Sequence, residues 1–353
     1  MEKKKVVYIL GSGATHAVVN GIDSDKGLLT RDIIRHIRNR KRENISIDIW
    51  NEVITADETG TDIEHLISIL ETQHKHYEAE LIKTYYRDAI VELSNNISND
   101  PKEDNLYSIL IDMHQIADLD EELKCFITLN YEDILERTLE KYYNYDIDYI
   151  VNSDKIDNTR KLIKIYKLHG SFNWLNTRPI AFKEMNKIQP QETLWIPPGI
   201  DKKKDNYPFN LLWGKAYEEL LNCDVLRIIG CSLSRNDWSL IPMLYTIQKF
   251  CSIKSKSLQI EVIDFNYISE KIKENYKYIE IKSIIELIEL KEFYRNQLNR
   301  LASDSILESE MEGNFSNPFK QWLDAKIGFL VKKEIDIKTE KAIAYNFYNN
   351  LNS

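Results

Sequence analysis

Short apolar runs that break off at a glycine or a polar residue recur along this chain of 353 residues, and they constrain its fold more than any other feature. They are Val6–Leu10, Cys125–Ile127 (with Thr128 and Leu129 still compatible), Leu162–Leu168, Leu194–Ile196, Val225–Ile229 and Leu258–Ile263. Strands buried on both faces require such continuous runs, unlike the alternating pattern of a half-exposed sheet. Helical spacing lies between them, as in Ile134, Leu135 and Leu139, or in Phe209–Leu221. Alternating strands and helices predict an α/β chain: a doubly wound parallel Rossmann-like sheet. Open sheets of this kind bind ligands just beyond the carboxyl ends of their strands. The residues that terminate the runs are therefore the ones to inspect.

The first run ends in Gly11-Ser12-Gly13-Ala14-Thr15. Glycines there would let backbone N–H groups approach a phosphate at a helix start, although tight turns also use glycine for steric reasons alone. The third glycine of the usual dinucleotide fingerprint is missing. The second run ends at Asn130, and Asp133 three residues on makes a plain helix cap the favoured reading of this stretch taken alone. The third ends in His169-Gly170, where histidine suits a turn as well as a site. Gly230-Cys231-Ser232 closes the run at Ile229, with Asn236-Asp237 opening the next helix. Asp264-Phe265-Asn266 closes the last; an acid there can hold ribose hydroxyls or start a helix.

Residues 21–120 read as an inserted helical module between the first two strands. Thr61-Asp62-Ile63-Glu64 is a capping box. Ile63, Leu66, Ile67 and Leu70 mark one apolar face, continued by Leu81, Ile82, Tyr85 and Ile90, then by Leu106, Ile109, Leu110 and Met113. Asn95 to Pro101 interrupt it. Residues 1–20 and 121–290 form the sheet domain, with Tyr278–Ile281 a last edge strand. The chain reads as helical from Ser283, and 291–353 as a helical tail with a loop near 313–318 and helices near 319–331 and 338–349.

A net charge of −9 argues against direct nucleic-acid binding. The basic stretch Arg35–Arg42 reads as a solvated helix end. No apolar run approaches membrane-spanning length, and the apolar run after Met1–Lys5 is too short for a signal peptide. Cys125, Cys223, Cys231 and Cys251 are scattered, which predicts no zinc module, no disulfide framework and a cytoplasmic location. On a helix His74 and His76 would point apart, so with His65 they read as solvated rather than metal-binding.

Taken in order, Gly11-Ser12-Gly13-Ala14-Thr15, Thr128-Leu129-Asn130-Tyr131-Glu132, Lys167-Leu168-His169-Gly170-Ser171, Gly230-Cys231-Ser232-Leu233 and Asp264-Phe265-Asn266 resemble the sirtuin superfamily. They look most like its prokaryotic branch of NAD-consuming anti-phage defence proteins, whose motifs read approximately G-A-G-x-S, T-T-N-Y-D, K-L-H-G-S and G-Y-S-L. The resemblance covers about residues 5–20 and 121–290. It implies an NAD site in which Gly11, Ser12, Gly13, Ala14 and Thr15 hold the pyrophosphate. Gly230 and Ser232 would face the adenosine, with Asp264 or Asn266 at its ribose. Asn130 and His169 would flank the nicotinamide ribose as the catalytic pair, with Glu132 at the nicotinamide.

Glu132 stands where the family usually has Asp, and Leu129 where protein-deacylating sirtuins have Gln. The four-cysteine zinc module of those deacylases is absent. The last two departures favour an NAD hydrolase (NADase) that yields nicotinamide and ADP-ribose and depletes NAD in abortive infection. The competing readings are a deacylase or ADP-ribosyltransferase and a non-enzymatic NAD-sensing scaffold. Glycosidic cleavage of NAD passes through an oxocarbenium-like sugar. An amide can orient the water or the ribose there, and an imidazole near pKa ~6.5 can act as base. The resemblance further implies control by a partner, such as a HerA-type ATPase or an Argonaute-like sensor. Apolar residues of the tail (Phe319, Trp322, Ile327, Ile343, Phe347, Tyr348) predict a homo-oligomer.

Overall fold

The computed structural model describes residues 2–20, 28–39, 47–97, 105–115, 121–151, 161–199, 204–233, 239–264, 274–287, 289–290 and 293. The chain divides into two compact units, Met1–Ile285 and Glu286–Ser353, and the site lies in the first. In order the elements are β1 (Lys4–Leu10), α1 (Ser12–Asn20), α2 (Thr30–Asn39), α3 (Ile47–Thr59), α4 (Ile63–Thr72), α5 (His76–Asn96), α6 (Leu106–Gln115), β2 (Glu121–Thr128), α7 (Ile134–Tyr143) and β3 (Tyr145–Asp148). There follow β4 (Lys161–Lys167), β5 (Gly170–Leu175), β6 (Ala181–Phe182), β7 (Thr193–Trp195), α8 (Phe209–Asn222), β8 (Val225–Ile229), α9 (Leu240–Ile253), β9 (Gln259–Asp264) and β10 (Ser283–Glu286).

Seven strands form one sheet in the order β10-β9-β8-β1-β2-β4-β3. β1 pairs in parallel with β2 and β8, β4 with β2 and β3, and β8 with β9. Helices flank this sheet, so the fold is α/β and Rossmann-like. The apolar runs explain it directly: Val6 to Leu10 and Cys125 to Ile127 are fully buried, as central strands covered on both faces must be. The register places Leu10 level with Thr128 and Ile229, Thr128 with Lys167, and Ile229 with Ile263. Five strands therefore end in one row. The ladder runs one residue further, through Gly11 N–H to Ile229 O at 3.0 Å, Leu129 N–H to Leu10 O at 3.1 Å, Leu168 N–H to Thr128 O at 3.0 Å and Gly230 N–H to Ile263 O at 3.2 Å.

Across β1, β2, β8 and β9 a buried polar cluster ties the sheet together. Arg227 forks onto Glu121 at 2.8 and 2.7 Å and reaches Glu261 at 2.8 Å and the Tyr8 hydroxyl at 3.1 Å. That hydroxyl meets His114 Nε2 at 2.7 Å. Burial lowers His114 to about 4, so the ring is neutral at neutral pH.

Several expectations change. The helix after β1 starts at Ser12, so the glycine turn is the single residue Gly11 and the rest of the motif is helix. Asp62, not Thr61, caps α4: its carboxylate accepts from His65 N–H at 2.8 Å. His74 is not helical (φ 60°), and its ring packs edge-on to His76 at 5.9 Å rather than facing away. Tyr278–Ile281 is not the edge strand, and Ser283 does not open a helix. β10 lies a few residues later, where Lys282 N–H already bonds Ile260 O at 2.8 Å.

A second, antiparallel sheet, β6-β5-β7, was not expected beyond a strand at 194–196. Arg87 of α5 is buried beneath it. It bonds Thr193 Oγ1 at 2.9 Å and the carbonyls of Met185 and Ile188 at 3.3 and 2.6 Å. At the basic stretch, Arg38 pairs with Asp57 at 2.6 Å. Asn95 and Asn96 do not break the helix, because α5 runs on through Asn96. Arg40 to Arg42, Asn236, Asp237, Asn266, residues 98–101 of the expected break and every tail residue named above lie outside the described residues.

Candidate active site

The turn after β1 is built by backbone touching backbone. Gly230 holds φ 58°, and a Cβ there would sit 2.0 Å from Ala14 N; one on Gly13 would sit 2.7 Å from Gly230 Cα. Gly13 N–H bonds Gly230 O at 2.9 Å, and Ala14 N–H bonds Gly11 O at 3.0 Å. The glycines of the first and fourth motifs thus serve each other. Of residues 11–15 only Ser12 is exposed, at the positive end of α1. Gly230→Ala is expected to lower stability by roughly 1–3 kcal/mol through overpacking at a left-handed position. Chemical unfolding measures it, and an unchanged midpoint would mean the two turns can separate freely.

Asn130 lies in the loop between β2 and α7. It is not the helix cap, because α7 starts at Ile134 with Asp133 in the cap position. Its Nδ2 donates to Gly11 O at 3.0 Å and to Thr15 Oγ1 at 2.9 Å. A carbonyl only accepts, so Gly11 fixes which way the amide faces. Both amide hydrogens are committed to the protein, and Oδ1 is the atom left for a ligand. The backbone N–H of Asn130 bonds Thr128 Oγ1 at 3.0 Å, which holds the loop against the strand it leaves.

Thr15 is buried and gathers three partners. Besides Asn130 they are Glu132 Oε1, to which its hydroxyl donates, and the Tyr107 hydroxyl at 2.7 Å. Glu132 is itself buried. Burial is the first cause that pushes its carboxyl up to about 7, against the opposing effects of the Lys167 charge and the Thr15 hydrogen bond. Lys167 Nζ bonds the carbonyl of Glu132 at 2.5 Å and the carboxylate of Glu136 at 2.7 Å, a pair with side chains 1% and 3% exposed.

The raised carboxyl carries a pH signature. Between its ordinary value of 4.5 and about 7 the folded chain binds more protons at Glu132 than the unfolded chain. Stability contributed here is present at the acid end and lost as pH rises through that window. The loss expected is of order 3 kcal/mol, and Glu132→Gln should abolish it. Urea unfolding across the window checks this; an equally steep fall in the variant would place the titration elsewhere.

His169 sits in the two-residue turn between β4 and β5 and is 6% exposed. Its ring lies between Tyr131 and Trp213, with centroids 6.1 and 6.3 Å away. Its carbonyl accepts from Ile196 N–H at 2.8 Å, and the Tyr131 hydroxyl donates to Ile196 O at 2.9 Å. The Asn130 and His169 loops are therefore fastened to one residue, Ile196, just past β7 of the second sheet. Gly170, at φ 78°, lets β5 begin against Leu194 O.

Ser232 is exposed, and its carbonyl accepts from Asn275 at 2.7 Å. Asp264 ends β9, half-buried, beside β8 in the strand row. The structure thus joins Gly11, Thr15, Asn130 and Glu132 in one hydrogen-bonded set, and sets Gly13 and Ala14 on Gly230. His169, Ser232 and Asp264 stand at the same edge, at or just past the ends of β4, β8 and β9. Tyr107, Lys167 and Glu136 complete the site's support. The signals for the last two were a lysine inside an apolar run and two glutamates four residues apart. Among the described residues no group of three His, Cys, Asp or Glu side chains is arranged to hold a metal, and the four cysteines are buried and form no disulfide.

No protein-family model and no curated protein matches the chain. Solved structures do. Sir2 enzymes and homologues are among those that resemble it. A mutant Sir2 homologue in complex with ADP-ribose is 16% identical, covering 85% of this chain and 94% of its own, at a TM-score of 0.44. A Sir2 homologue in complex with NAD is 14% identical over 85% and 91%, at 0.40. A Sir2 enzyme solved for its mechanism and regulation is 13% identical over 85% and 94%, at 0.41. The fold class of the present chain rests on its own strand order and register. No helix among the described residues is long and apolar enough to cross a membrane.

Proposed function

We propose that this strand-end cleft hydrolyses NAD at the nicotinamide N-glycosidic bond, giving nicotinamide and ADP-ribose. One observation carries the reading: Asn130 is locked through both amide hydrogens at the carboxyl end of the central strands, and neither bond uses its oxygen. That oxygen suits a water or a ribose hydroxyl. Nicotinamide leaves as a neutral group, so the chemistry needs positioning and a base more than a strong acid.

His169 supplies the base, and Glu132 lines the nicotinamide end. Ser12 and the start of α1 meet the pyrophosphate, with Gly11, Gly13, Ala14 and Thr15 shaping that turn. Gly230 and Ser232 face the adenosine, and Asp264 its ribose, with Asn266 the alternative at that position. In this reading the enzyme works in the cytoplasm of a cell resisting phage. It is held back by self-association or by a separate partner, such as a HerA-type ATPase or an Argonaute-like sensor, until infection.

The test is to incubate the purified chain with NAD, alone and with the product of its neighbouring gene, and to separate the products by chromatography. Equal amounts of nicotinamide and ADP-ribose are expected. Calorimetric binding without products would make it a sensing scaffold, and neither binding nor products would remove the reading.

A further inference from the structure

Thr15 Oγ1 has one hydrogen and two lone pairs but three partners. Asn130 Nδ2 can only donate, which fills one lone pair. The remaining hydrogen and lone pair are shared between Glu132 and Tyr107, whose hydroxyl also meets the Asn130 amide, and the two bonds can run in either of two directions. With Glu132 ionised, Tyr107 donates to Thr15 and Thr15 donates to the carboxylate. With Glu132 protonated on the facing oxygen, both bonds reverse, and Thr15 donates to Tyr107. Asn130 keeps its place in both.

We propose that Tyr107 of α6 is a positioning residue for this site: it is the far end of a hydroxyl relay, Tyr107–Thr15–Glu132, that favours the ionised carboxylate and links the helical layer to the cleft. The inference rests on the reading of the cleft as the reaction site. Tyr107 is 1% exposed, and burial pushes its phenol well above its ordinary value, so it remains an O–H donor throughout the neutral range. In the ionised arrangement every dipole points toward the negative charge, and charge-assisted bonds of this kind are about twice as strong as neutral ones.

Other groups face the carboxyl. Lys167 of β4 favours ionisation, whereas Glu136 and Asp133 beside it oppose it. Tyr86 of α5 is buried and stays neutral. None of these touches Thr15 among the described hydrogen bonds. Among the described residues, the helices between β1 and β2 contribute Thr15 from α1 and, 92 positions on, Tyr107 from α6.

The experiment reads the carboxyl itself rather than turnover. Infrared difference spectra against pH follow the protonated-carboxyl band, and Glu132→Gln identifies which band belongs to Glu132. In Tyr107→Phe the midpoint of that band is expected to rise by about one pH unit, a tenfold change in proton binding. Thr15→Val, which removes the relay's centre, should raise it at least as far, and Thr15→Ser should restore the wild-type midpoint. Circular dichroism confirms that each variant is folded, and the threonine pair decides the matter if Tyr107→Phe does not fold. A midpoint that stays put or falls in Tyr107→Phe and Thr15→Val overturns the relay. This titration is decided whether or not the chain hydrolyses NAD, so the two proposals fail separately. Where turnover is measured, the acid limb of its pH profile should move with the band, with little change in KM.

Discussion

Asn130→Ala and His169→Ala are each expected to reduce NAD turnover by roughly 10²–10⁴-fold while leaving the fold intact. The more discriminating substitution is Asn130→Asp. It keeps the size of the side chain, but it places a carboxylate oxygen where Nδ2 now donates to Gly11 O and Thr15 Oγ1. The carbonyl cannot donate back, and the Thr15 hydrogen is already given to Glu132. The aspartate therefore repels its own anchors and swings away, and activity should fall as far as in the alanine variant. Because Asp133 occupies the cap position of α7, no change in capping confuses the result. Rate measurements beside circular dichroism decide it. An aspartate variant of near wild-type activity would show that the locked amide is not what the chemistry uses, and an active His169→Ala would leave His169 as a turn residue.

Lys167→Met is expected to destabilise the protein by roughly 3–5 kcal/mol. It leaves Glu136 buried with, among the described hydrogen bonds, the Tyr149 hydroxyl at 3.3 Å to answer its charge, and it strips the Glu132 carbonyl of a donor. Removing both charges, with Lys167→Met and Glu136→Leu together, should recover much of the loss, because an apolar pair needs no solvation. Urea denaturation of the two single variants and the double variant gives the coupling. A single Lys167→Met within about 1 kcal/mol of the wild type would show that water reaches the pair and solvates it.

The central strands were legible because a parallel strand buried on both faces is mostly apolar, as Val6–Leu10 of β1, the second half of β2 and, apart from Arg227, β8 are; β4 and β9 carry lysines or a glutamate within runs that still stand out. Their polar terminators were legible for the same reason: they interrupt something unmistakable. β3 and β5 were not. Tyr145-Asp146-Ile147-Asp148 lies at the sheet edge and alternates, and Gly170-Ser171-Phe172-Asn173-Trp174-Leu175 opens with what reads as a turn. The edge strand was displaced because Tyr276 and Ile279 are buried without being strand, so apolarity there reported packing rather than pairing. The network on Thr15 could not be read at all. Tyr107 is one tyrosine among twenty, 92 positions from Thr15, and only the folded chain gives it a partner.

The central position of β1 has a consequence for the order of synthesis. It is made first, yet its neighbour on one side is β8, and the bond from Arg227 to Tyr8 spans 219 positions. At roughly 5–20 residues per second, β8 follows it from the ribosome about 10–40 s later. Through that interval Val6–Leu10 is an apolar strand with an open flank, which is when a chaperone would be needed. Gly230, which braces Gly13, also arrives late. A nascent chain is thus at its most adhesive before its cleft exists, and ribosomes stalled short of residue 230 should release aggregating fragments that leave cellular NAD untouched.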